Sequence, residues 1–270
     1  MSERYTLYYT PSSDSLLFSR ASRLFGRSIR SASYFEPEPP EGFDLDTWRS
    51  MVSEPAHYGL HATLKAPFTL AKDLAGLSRQ EITKILTSAC SKLAARHTPF
   101  ATSPLELEEL ASRNGKGHFL ALTPKRVRPA GLAEQKMQAL ERDCVLSFES
   151  MRAPTSEEDI ARRGALDALE EHYLRTFGYH LVFERFRFHI TLTNCLPEEE
   201  LGRVKVALKS LFAPFIGRTL RIDAISLCRQ EDRKSPFVEL VRLPLAKRLD
   251  VSPYLCTATH GQGVSYHISA

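Results

Sequence analysis

One succession of elements occurs twice in this chain of 270 residues, and it restricts the fold more than any other feature. A strand carrying a His-x-Thr motif is followed by a helix, a second strand, a turn and a third strand. In the first copy the motif is His61-Ala62-Thr63, within an alternating run over about residues 57–66. A helix is predicted over residues 78–96: Ser78 can cap it, Glu81 stands three residues on, and Ile82, Ile85, Leu86, Ala89 and Leu93 form one stripe. Strands at residues 105–110 and 118–122 flank Arg113-Asn114-Gly115-Lys116-Gly117, a hairpin composition. The second copy has His189-Ile190-Thr191 within an alternating run over residues 183–195. A helix over residues 198–212, opened by Pro197, and strands over residues 219–229 and 237–242 complete it. Residue identity between the copies is low, so the repeat is one of architecture. The expected fold is α+β, a single domain over residues 1–270 with two pseudo-symmetric lobes. Each lobe is a small antiparallel sheet backed by helices.

The remaining text fits around this repeat. Residues 5–10 are aromatic and threonine-rich and read as a strand, and residues 15–27 have the apolar spacing of a helix. The proline-rich stretch over residues 36–42 suits no regular element. Helical patterns return over residues 129–150 and 156–177, whereas residues 250–270 have little periodicity and read as irregular.

Composition narrows the partners. Lysine and arginine exceed the acids by four, a mild excess that suits an anionic substrate and falls short of a nucleic-acid-coating protein. No run approaches the roughly 18 apolar residues of a membrane helix, and the charged N-terminal text has no apolar signal core, so a cytoplasmic protein without membrane contact is expected. The five cysteines are odd in number and widely spaced, which argues against a zinc ribbon or a disulfide framework.

Within a strand, alternate side chains share a face. Alternation sets His61, Thr63 and Lys65 on one face of the first motif strand, with Tyr58, Leu60, Ala62 and Leu64 on the other. In the second, Phe186, Phe188, Ile190 and Leu192 form an apolar face, and Arg185, Arg187, His189, Thr191 and Thr193 a polar one. Neither polar face holds a carboxylate, so the donors suit phosphate better than a metal ion. The threonine hydroxyls can bind phosphoryl oxygens, and Lys65 or Arg187 can balance the charge of a transition state. Near neutral pH one imidazole can be neutral and remove a proton from water while the other, protonated, serves the leaving oxygen. Such chemistry calls for no metal or cofactor. The bare motif is weak, since nine histidines yield roughly one or two matches by chance, and His267-Ile268-Ser269 is a third copy with no helix after it.

The pair of motifs resembles the signature of the two-histidine (2H) phosphoesterase superfamily, in which two His-hydrophobic-Ser/Thr-hydrophobic strands face each other. His61-Ala62-Thr63-Leu64 and His189-Ile190-Thr191-Leu192 match both halves of it. More narrowly, Tyr58 to Phe68 together with Phe186 to Thr193 is similar to a bacterial family associated with phosphonate-utilisation operons. The resemblance implies two lobes with the active cleft between their sheets, and His61 and His189 paired around one phosphate as catalytic acid and base. Thr63, Thr191, Lys65 and Arg187 are the expected substrate-binding residues on the reading of the strand faces, and Tyr58 is expected either to line the cleft as a further one or to pack beneath it. It implies a small phosphorylated substrate, such as a 2′,3′-cyclic nucleotide or a ribose cyclic phosphate. RNA end processing at a cyclic phosphate or a 2′-5′ linkage stands as an alternative, as does a module that binds a phosphorylated ligand or RNA without turnover.

Overall fold

The computed structural model describes residues 3–112 and 117–246. The turn residues 113–116, the predicted irregular tail, Cys256 and the third histidine motif lie outside the described residues.

The strands are β1 (Arg4–Tyr9), β2 (Ala62–Phe68), β3 (Phe100–Ala111), β4 (His118–Pro124), β5 (Ile190–Thr191), β6 (Thr219–Ile222), β7 (Ala224–Gln230) and β8 (Val238–Pro244). The helices are α1 (Leu16–Phe25), α2 (Leu45–Met51), α3 (Ser53–Tyr58), α4 (Lys72–Ala75), α5 (Arg79–Ala94), α6 (Leu132–Leu146), α7 (Glu157–Ala161), α8 (Ala168–Phe177) and α9 (Glu198–Leu211). The capping box read at Ser78 and Glu81 is present at the start of α5. Residues 156–177 are two helices rather than one, the second opened by its own capping box between Asp167 and Glu170.

Two four-stranded sheets result, with strand orders β2-β1-β7-β8 and β5-β4-β3-β6, every neighbour antiparallel. The α+β class and the paired antiparallel sheets match the expectation. The connectivity adds an exchange. The hairpin β3–β4 follows the first histidine motif but joins the sheet of the second, whereas β7–β8 follows the second motif and joins the sheet of the first. The run predicted as one strand over residues 219–229 is the crossing point. It divides at Asp223, which pairs with Arg242, so that β6 stays on β3 and β7 leaves for β1.

The predicted strand over residues 183–195 is shorter than its alternation suggests, with two residues in regular pairing with β4. Phe183 has a left-handed backbone (φ 57), which ends extended geometry on one side. On the other side the chain peels away, because the Leu120 amide donates to the Thr193 hydroxyl (3.0 Å) and the Asn194 amide to Met51 O (2.7 Å). Of the expected apolar face, Phe188, Ile190 and Leu192 are in the core and Phe186 is partly buried against it. That core is continuous between the sheets, Tyr9 of β1 meeting Phe188 with ring centroids 6.0 Å apart. The two lobes therefore share one hydrophobic interior, which fixes the distance across the cleft.

Candidate active site

Each histidine sits one residue ahead of its strand. His61 precedes β2, and its approach is shaped by Gly59 (φ 71) at the end of α3. A Cβ on Gly59 would lie 2.5 Å from the Ile29 Cβ, so the turn needs both the left-handed freedom and the bare α-carbon of glycine. The turn leaves the Gly59 carbonyl beside the imidazole, and His61 Nδ1 donates to it at 2.9 Å. His189 repeats the device: its Nδ1 donates to the Arg187 carbonyl, again two residues back, at 2.8 Å. A carbonyl only accepts, so both rings carry their proton on Nδ1 when neutral. Nε2 is then an unprotonated acceptor in both halves.

Both rings line one cleft of about 730 Å³, together with Thr63 and Thr191. Tyr8 of β1 lies against His61 with ring centroids 4.0 Å apart, and Phe119 of β4 stands 6.1 Å from His189. Burial pushes the His61 imidazole down to about 4, against a rise from the Gly59 carbonyl and a smaller lowering from His189. Burial lowers His189 as well, with the Arg187 charge adding to the effect. Both rings are therefore neutral near pH 7. The Asn194 side chain ties the two halves at the cleft edge: its Oδ1 accepts from the Glu54 amide at 2.8 Å and its Nδ2 donates to Ser50 O at 2.8 Å.

Two expected substrate ligands do not reach this cleft. Lys65 is buried and its Nζ meets Glu149 Oε1 at 2.5 Å and Val145 O at 3.1 Å. The cause is a β-bulge. Leu7 faces Lys65 while its neighbour Tyr8 faces Thr63, so β2 carries an extra residue there. Strict alternation fails at that point, and Lys65 turns from the histidine face into the interior while Ala66 lines the cleft. Arg187 pairs with Glu108 of β3 and lines a neighbouring cavity with Phe186 and Lys125. The extended alternation that was to align it with His189 is not held by regular pairing, which begins only at Ile190.

Tyr58 does line the cleft, though from the last turn of α3 rather than from a strand. Its ring stacks on Phe237 (5.4 Å between centroids, 17° between planes) and stands 5.6 Å from His61. Sequence reasoning missed Arg4, Tyr8, Phe119 and Arg163, all of which line the cleft. Alternation along β1 sets Arg4 and Tyr8 on one face. Nothing local to β1 says that this face adjoins His61.

Residues 63–238 match the family described as "Protein of unknown function (DUF1045)". The chain belongs to the DUF1045 family. It is also similar to two curated proteins called ribose 1,5-bisphosphate phosphokinase PhnN. The protein of Janthinobacterium sp. (strain Marseille) is 30% identical over 249 residues, which cover 90% of this chain and 51% of that protein. The protein of Laribacter hongkongensis (strain HLHK9) is 31% identical over 237 residues, covering 84% of this chain and 51% of that protein. The DUF1045 chain thus spans about half the length of these curated relatives. Among solved structures it is similar to E. coli LigT complexed with 3′-AMP, at TM-score 0.39 and 15% identity, over 92% of this chain and 100% of that one. Kluyveromyces marxianus Usb1 is similar at TM-score 0.35 and 12% identity, over 90% of this chain and 97% of that one.

Proposed function

We propose that the chain is a cyclic phosphodiesterase that opens a ribose or nucleoside cyclic phosphate by two-histidine acid–base catalysis, without a metal ion. The observation that carries the reading is the duplicated device: two imidazoles, each with Nδ1–H held by the carbonyl two residues back, line one cleft beside two threonines. One neutral Nε2 takes the proton of the attacking water. The other imidazole, protonated once an anionic phosphate is bound, gives its proton to the leaving ribose oxygen. Thr63 and Thr191 donate to the non-bridging oxygens. Among the described residues no group of three His, Cys, Asp or Glu side chains is placed to hold a metal ion, and Glu54 is the one carboxylate among the residues lining the cleft. The relatives' printed name concerns a bisphosphorylated ribose, which supports a phosphorylated ribose as the substrate class.

The test is a rate assay on 2′,3′-cyclic mononucleotides, a ribose 1,2-cyclic phosphate, cyclic ADP-ribose phosphates and RNA ending in a cyclic phosphate, with and without chelator. Turnover of a small cyclic phosphate that EDTA leaves unchanged is expected. Loss of the rate in EDTA, restored by zinc or manganese, would end the metal-free mechanism. Turnover confined to RNA would replace the small substrate with an RNA end, and tight binding without turnover on any member would favour a binding module.

A further inference from the structure

The cleft does not end at the histidines. Beside Ala66 and Pro67 a smaller cavity of about 80 Å³ adjoins it, and Arg4 and Arg163 line both spaces. Such a volume holds several waters or one small anion. Arg233 and Arg152 line the smaller cavity too, with Asp159 the one carboxylate among its lining residues. Asp159 is already engaged, by Arg233 at 3.2 Å and Arg162 at 3.3 Å. Arg152 is used internally, on Glu149 Oε2 at 3.0 Å and Ala153 O at 2.7 Å.

Arg4 and Arg163 are different. The Arg4 guanidinium donates to a neutral amide, Gln230 Oε1 (2.7 Å from Nε), and lies 5.6 Å from the Phe237 ring centroid. Arg163 is exposed and stands 5.3 Å from the Tyr179 ring centroid. Among the described residues neither has an ion pair with a carboxylate. Burial, followed by the charge of Arg233, lowers Arg4, as expected of a cation held near another cation with little acid to balance it. Two guanidiniums facing one concavity without paired carboxylates make a site for a doubly charged oxyanion. β1 links the site to His61. Arg4 and Tyr8 share one face of β1 four residues apart, about 13 Å along the backbone, and the Tyr8 ring touches His61. Arginine's long side chain closes much of that interval.

Resting on the cyclic phosphodiesterase reading, we infer that the substrate carries a second phosphoryl group, a phosphomonoester on the same small molecule, which Arg4 and Arg163 hold while the cyclic phosphate lies between the histidines. The enzyme then selects phosphorylated ribose derivatives over their unphosphorylated counterparts. The second group anchors the ring, so that binding energy remote from the reacting phosphorus orients it.

Equilibrium binding tests the subsite apart from catalysis. In calorimetry, adenosine 3′,5′-bisphosphate should bind the full chain about tenfold to a hundredfold more tightly than adenosine 3′-monophosphate. Arg163→Gln and Arg4→Gln should each reduce that ratio, and the double variant should bring it near one. Arg4→Lys is included in case the loss of the Gln230 contact disturbs folding, and circular dichroism checks every variant. Equal affinities in the wild type, or a ratio that all variants keep, would overturn the subsite. Tighter binding of an RNA oligonucleotide with the same 3′ nucleotide would also overturn it, in favour of an RNA track. The matched kinetic pair is a nucleoside 2′,3′-cyclic phosphate with and without a 5′-phosphate. Turnover of both at equal kcat/KM removes the subsite and leaves the phosphodiesterase reading standing. A large binding ratio without turnover of either removes the phosphodiesterase reading and leaves the anion site.

Discussion

The two histidine strands arrive at the same local device by different routes. β2 is seven residues long, is paired along β1 and is bent by bulges. β5 is two residues at a sheet edge, with its neighbours held by side-chain and loop hydrogen bonds instead of a ladder. Yet each imidazole meets the carbonyl two residues back at nearly the same distance, 2.9 Å for His61 and 2.8 Å for His189. What is matched between the halves is the protonation geometry of the ring, and the strand that delivers it is free to vary. The cationic neighbours are not matched either: Lys65 is buried on Glu149, whereas Arg187 pairs with Glu108 in a half-exposed setting.

The largest effect tests the equivalence of the rings. His61→Ala and His189→Ala are each expected to reduce kcat by about 10²–10⁴-fold, with the double variant little slower than the worse single one. Additive losses, or one variant near wild-type rate, would break the symmetry of roles. Next, Lys65→Met should cost about 3 kcal/mol of stability in urea titrations, at the low end for a broken buried pair because Arg152 still holds Glu149. Arg187→Met should cost under about 1 kcal/mol. Similar losses at the two sites would contradict the contrast in burial. Thr63→Val and Thr191→Val should each lower kcat/KM by about 10–10²-fold, the worth of one hydrogen bond to an anion. A loss at one threonine alone would mean that the phosphate leans on one half.

The most gradual effect is on pH dependence. Folding lowers the His61 pKa to about 4 from an ordinary 6.5, so between these values the unfolded chain binds a proton that the folded chain does not. Stability therefore falls as pH drops from about 6.5 to about 4, by roughly 2–3 kcal/mol from this ring, and His61→Gln should flatten that slope. An unchanged slope in that variant would mean the ring titrates normally. Activity follows the same shifts. The bell of kcat/KM, which reports the free enzyme, should centre on the acid side of 6.5, while that of kcat moves upward as bound phosphate favours the imidazolium.

Much of this was legible in the residues. Apolar alternation marked eight residues as interior: Leu60, Ala62, Leu64, Phe188, Ile190 and Leu192 are buried, and Tyr58 and Phe186 are partly buried. Ser78 with Glu81 marked the start of α5, and the two His-x-Thr motifs picked out the pair that meets in the cleft. α2 and α3 were missed: they lie between the proline-rich stretch and the motif, where the run ending in Lys65 reads as one strand although Tyr58 closes a helix. Lys65 was misplaced for a related reason. A bulge depends on the register of β2 against β1, which joins residues more than fifty positions apart, and alternation within one strand carries no trace of it.

By itself, then, the sequence determined most of the elements, their apolar faces and the two imidazole–threonine pairs, because these follow from periodicities of two to four residues along one segment. Only the tertiary structure decided that β3–β4 and β7–β8 change places between the sheets, that Lys65 is internal, and that Arg4, Tyr8, Phe119 and Arg163 complete the cleft. Those outcomes are set by hydrogen-bond register and core packing between distant segments. Such terms compare whole arrangements of the chain, and no local pattern encodes them.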